Sequence, residues 1–201
     1  MTLLAVLALP ALPVSAAPEP DDKLTAALLT GPELPAGFTP QTDAIDDLFA
    51  RIPAEIAACG TGAGLPSATV YREFVRGAAD DELLVEILSA PGKQNARAAV
   101  AALRATLPKC AAFTRPAGEL PMELKFAVSR SASVKIGDAA TVVVFVMTVP
   151  SMKLTVNGRL LSVASGGKLV SLLLMTEKKP KSADLTAAAR SAVTKAVAVS
   201  R

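Results

Sequence analysis

Histidine is absent from this 201-residue chain, and its absence removes most of the chemistry a sequence can advertise. Without an imidazole there is no Ser-His-Asp or Cys-His constellation, and the commonest general base and metal ligand are both missing. A Ser-Lys nucleophile needs Ser-x-x-Lys at a helix start, whereas Lys135 follows Ser133 by two positions only. Asp80-Asp81-Glu82 could pair carboxylates for glycoside cleavage, but these residues are adjacent beside Gly77 and read as a solvated turn. Asp43, Asp46 and Asp47 share one helical face, yet the spacing is not that of an EF-hand loop and helix capping explains it equally well. Gly60-Thr61-Gly62-Ala63-Gly64 lacks the Lys of a phosphate loop and no strand precedes it. The expectation is a protein that is not an enzyme and has no metal site and no cofactor.

Composition narrows the partners. Apolar residues make up 51% of the chain and charged residues 19%, which excludes a disordered tail or a nucleic-acid coat. Six Phe, one Tyr and no Trp leave few platforms for stacking bases, so no nucleic-acid partner is expected. The net charge of +3 hides two halves of opposite sign. Residues 1–90 hold 4 Lys/Arg against 13 Asp/Glu, and residues 91–201 hold 17 against 5. The densest basic run, Glu177-Lys178-Lys179-Pro180-Lys181, is a loop because of its proline. It reads as a solvated turn before it reads as a contact for anionic envelope polymer or lipid.

Residues Leu3–Leu12 form a short apolar run, and Val14-x-Ala16 supplies the small residues of a signal-peptidase site. Cleavage after Ala16 is expected, giving a signal peptide over 1–16 and a secreted or cell-envelope protein. The run is broken by Pro10 and falls short of the ~18 apolar residues of a membrane span, so no transmembrane helix is expected. Two cysteines in an oxidising compartment read as one disulfide, Cys59 to Cys110. It would restrict the unfolded chain by about 4 kcal/mol.

The elements that must position any site alternate clearly. Residues 17–40 read as a linker and short helix: Asp21-Asp22 caps Leu24 and Leu28, and Gly31-Pro32 stops the helix. A single domain over 41–201 follows. Ile45, Leu48, Phe49 and Ile52 recur at helical spacing. Strands are expected at 68–76, 82–89, 122–129, 141–149, 154–165 and 168–176, the last two joined by the hairpin turn Gly166-Gly167. Asn157-Gly158 reads as a bulge or a tight turn. Helices are expected over 93–107, with a stripe of Ala96, Val100, Leu103 and Leu107, and from Ser182 or Asp184 to Val199. The order implies an α+β fold of two layers: an antiparallel meander of about six strands with helices packed on one face.

Three segments are similar to one family. Leu28-Leu29-Thr30-Gly31-Pro32-Glu33-Leu34-Pro35-Ala36-Gly37-Phe38 resembles the opening of the PknH-like extracellular sensor domains of actinobacteria. Gly137-Asp138-Ala139-Ala140 resembles that family's entry to a late strand, and Val163–Val170 its closing hairpin. The placing of Cys59 and Cys110 also fits. The resemblance implies a stand-alone secreted member that binds a ligand and does not catalyse. One cysteine pair stands where kinase-linked members carry two, and signalling through an attached kinase is not implied.

Two function classes follow. One is a non-catalytic sensor-like ligand-binding domain. The other is an envelope carrier or assembly protein holding a lipid or other apolar molecule. Thr141–Val149 is apolar on both faces. Val142, Val144 and Val146 suit packing under helices, leaving Val143, Phe145, Met147 and Val149 either to bound an apolar groove with Ile45 and Phe49 or, as apolar stripes more often do, to form a core that Ile45, Leu48, Phe49 and Ile52 close.

Overall fold

In the computed structural model, residues 21–41, 52, 56, 69–77, 81–106, 110–115 and 123–199 are described. The period-2 alternation resolves into one antiparallel sheet of eight strands: β1 (Thr39–Pro40), β2 (Thr69–Arg76), β3 (Glu82–Ser89), β4 (Ala112–Arg115), β5 (Leu124–Ser133), β6 (Ala139–Val149), β7 (Leu154–Ser165) and β8 (Lys168–Thr176). Their order across the sheet is β1-β2-β3-β8-β7-β6-β5-β4. The expectation of about six strands is corrected to eight. The two additions are edge strands of two and four residues, too short to show alternation, and β1 includes a proline as edges permit. Strand β6 lies between β5 and β7, with Val143, Phe145, Met147 and Val149 buried on one face and Val142, Val144 and Val146 half-buried on the other.

The layer count is also corrected. Three helices have described bounds: α1 (Asp21–Ala26), α2 (Lys93–Thr106) and α3 (Ser182–Ala198). Helices α1 and α3 cover one face through Leu24, Leu28, Leu185, Ala188, Ala189, Ala192 and Ala196, against Phe74, Leu84, Leu161, Val170, Leu172 and Leu174. Helix α2 lies on the opposite face, its Ala96 and Val100 on Ala164 and its Leu103 beside Val143 and Leu160. Helices therefore flank both faces of the sheet. The apolar run Thr141–Val149 called either for cover on both faces or for an apolar groove on one, and no local pattern names the face on which each helix lies.

Small side chains set these approaches. The buried stripe of α3 is almost all alanine, so the helix backbone sits close to β7 and β8. Its N-cap is Lys181, with no side-chain cap, and Asp184 is engaged elsewhere, which corrects the expected capping role of Ser182 or Asp184. Between β7 and β8, Gly166 (φ 57°) and Gly167 (φ 87°) adopt the left-handed conformations of a two-residue hairpin. Gly92 donates its N–H to Gly167 O at 3.0 Å, which fixes the start of α2 to that turn.

Candidate functional site

Four residues expected to bound a groove come together on one face of β6. Val143, Phe145, Met147 and Val149 are at most 4% exposed and pack with Ile52, Ile56, Phe126, Leu160, Leu173 and Met175. The Phe126 ring is tilted against Phe145 at 6.1 Å and stacked on Phe113 at 4.7 Å. Ile52 and Ile56 are helical residues that reach this face. Ile45 and Phe49 lie outside the described residues, as do Cys59 and the segment 1–16. Cys110 is buried, and there is no free cysteine among the described residues.

The other face of β6 was expected to lie under helices, and only part of it does. Val142 packs against the cluster formed by α1 and α3, but Val144 and Val146 are half-buried and join no cluster. Helix α3 packs mainly on β7 and β8, and beyond them no described helix covers this side of β4–β6. A shallow depression of about 370 Å³ lies there, lined in part by Ala112, Thr114, Lys125, Ala127, Val146 and Thr148. Phe113 and Phe126 complete the lining, and hydroxyls, apolar groups and one lysine make it amphipathic.

A third constellation was not anticipated. Glu86 on β3 is fully buried, and its Oε2 accepts a 2.6 Å hydrogen bond from Leu29 N–H. Burial pushes its carboxyl up to about 7, against the Leu29 hydrogen bond and the fields of Lys195 and Arg72. Arg72 donates to Leu29 O at 2.8 Å, and Lys195 to Leu28 O at 2.7 Å and to Glu33 at 2.8 Å. Glu33 also accepts from Thr30 N–H and Oγ1. Burial alone would raise Glu33, but the hydrogen bonds from Lys195 and Thr30 outweigh it and hold the carboxyl below its ordinary value. The signal in the sequence was an acid placed between Leu84 and Leu88 in the middle of a strand.

The segments that carry the family resemblance thus have structural tasks. Residues 28–33 are held by three charged side chains from separate elements. Gly37 (φ 90°) lies against the Arg76 stem, and the Arg76 guanidinium covers the Phe38 ring at 4.2 Å. Gly137 (φ 60°) comes so near Ala164 O that a Cβ would lie 2.7 Å away, and Asp138 N–H donates to that same oxygen. The basic loop is solvated, with Lys178 at 3.6 Å from Asp81.

No group of His, Cys, Asp and Glu suited to a metal ion occurs among the described residues, and no described helix is long and apolar enough to cross a membrane. No protein-family model and no curated protein matches the sequence. Among solved structures the chain is similar to the extracellular domain of PknH from Mycobacterium tuberculosis. The TM-score is 0.57 and the identity 14%, over 90% of this chain and 97% of that one. The eight-stranded sheet and its flanking helices therefore have the fold of that extracellular domain.

Proposed function

We propose that this protein is a secreted, non-catalytic, sensor-like domain of the cell envelope that binds a small or apolar ligand. The observation that carries the reading is the near full-length correspondence with the extracellular domain of PknH. The signal-peptide pattern at Val14-x-Ala16 and a Cys59–Cys110 disulfide belong to the same reading. The depression over β4–β6 is the ligand site in this proposal. It is open, amphipathic and built on strands, which hold a site firmly.

A second reading, an envelope carrier, is favoured by the apolar face of β6. Phe145 and Met147 are adaptable side chains, and an apolar molecule enters among them when Ile52 and Ile56 move aside. Uptake of a fluorescent fatty acid separates the two. Loss of saturable uptake in Val146→Glu supports the open depression. Loss in Phe145→Ala and Met147→Gln, both folded, supports the carrier. No saturable uptake by the wild type removes the apolar ligand from both. Native mass spectrometry of protein from its own host adds a further test, because a carrier retains lipid.

A further inference from the structure

We infer that residues 21–38 form a pH-sensitive strap, closed over the sheet by Glu86 and loosened as that carboxyl ionises. The strap has two kinds of attachment. Leu24, Leu28, Leu29 and Phe38 are buried in the core shared with α3 and the sheet. Its peptide groups at Leu28 and Leu29 are held by Lys195, Arg72 and Glu86, which come from α3, β2 and β3.

Glu86 is the weak member of this set. Its Oε1 is buried with no hydrogen-bond partner, and its Oε2 has a single one, the Leu29 N–H. Across the sheet its neighbour on β8 is Leu172, which offers no polar atom from its side chain. The charged groups that face it are Arg72 from β2, Lys195 from α3 and Glu33 from the turn Gly31–Glu33. Arg72 directs its short hydrogen bond to Leu29 O, and Lys195 directs its own to Leu28 O and Glu33. Neither cation therefore neutralises an ionised Glu86 by direct contact, and the Glu33 carboxylate opposes ionisation. A buried carboxylate with one oxygen unsatisfied is costly, and lifting the strap admits water to it.

The sign follows from the two protonation equilibria. With the strap closed the Glu86 carboxyl is raised from 4.5 to about 7, and with it lifted the group is hydrated and ordinary. Closure is thus fully supported below about pH 4.5, and that support is lost as pH rises through about 7.

Hydrogen exchange of the full chain, corrected for intrinsic rates, tests this at about pH 5.5 and about pH 8. Protection of the amides of Leu28 and Leu29 is expected to fall by about tenfold or more at the higher pH, while β7 and β8 hold theirs. Glu86→Gln, which cannot ionise, is expected to abolish the difference. Unchanged protection in the wild type, or the same loss in Glu86→Gln, overturns the inference. Should that variant fail to fold, carbon-13 titration of the Glu86 carboxyl in the wild type decides. A midpoint near that of a free glutamate overturns the inference, and one near neutrality supports it.

Discussion

The far end of the Phe145 ring lies against Gly158, its partner on the neighbouring strand, so closely that a Cβ at position 158 would come 2.1 Å from Cζ. Gly158 sits in regular register, with Asn157 opposite Val146 and Arg159 opposite Val144. Its glycine is therefore needed for space and not for a turn. Phe145 is fully buried, so its ring shifts only by displacing packed neighbours. Gly158→Ala is expected to destabilise by about 1–3 kcal/mol through overpacking. Phe145→Leu in the same chain should return part of that loss, giving a coupling energy in a denaturant double-mutant cycle. Additive losses would contradict the contact.

That pair shows where reading the sequence stops. Alternation located β3, β7 and β8 to the residue, because one face of each demanded apolar side chains and Gly166-Gly167 named its own turn. Asn157-Gly158 stayed between bulge and turn, since the reason for Gly158 is a ring on another strand and no local pattern names a partner. The facing of α2 against α1 and α3 was equally hidden. Ala96 and Ala189 fit either side of a sheet whose central strands are apolar throughout. The groove expected along β6 was legible as a row of apolar residues, while the open depression was not. It depends on where α3 ends over the sheet and on the unforeseen strand β4. Glu86 was hidden because Leu83, Val85 and Ile87 mark the strand from its other face, and no local pattern says that an acid on the opposite face is buried.

The two faces of β6 should respond differently to charge. Val143 is fully buried beneath Ile52 and Leu103, whereas Val144 is half-buried on the side that no described helix covers there. Val143→Lys should cost several kcal/mol, or about 3–5, because its ammonium has no partner. Val144→Lys can extend its stem along the sheet and place the charge in water, at a cost of about 1 kcal/mol or less. Equal losses of melting temperature would show that the open face is covered.

Arg76 joins four parts of the fold. Its guanidinium bridges Glu82 and Asp184, the latter at 2.5 Å, donates to Ala36 O at 3.2 Å and lies over Phe38. Desolvation works against the charge, but the hydrogen bonds it donates to Asp184 and Glu82 raise its pKa overall. Arg76→Lys keeps the charge and loses the planar fork, so one acid and the Ala36 carbonyl are released. A loss of about 1–2 kcal/mol is expected for the lysine variant and more for Arg76→Ala, which also uncovers Phe38. Chemical denaturation reads both, and a lysine variant as stable as the wild type would refute a role for the fork.

Glu33 should act on the same strap as Glu86 with the opposite sign. Lys195 and Thr30 hold its carboxyl below 4.5, so its support is present above that value and declines as pH falls through the lowered one. Glu86 withdraws support as pH rises toward about 7. Together they place the tightest strap in mildly acidic solution, between the two titrations. Glu33→Gln should remove the acid side of that maximum, because a neutral amide pairs less strongly with Lys195, and weaken the alkaline side only slightly, since the Glu33 charge is the least of the influences on Glu86. Urea midpoints across an acid-to-neutral pH series test the separation. If Glu33→Gln flattened both sides, the two carboxyls would form one coupled unit, and independent action on the Leu28–Leu29 peptide groups would be disproved.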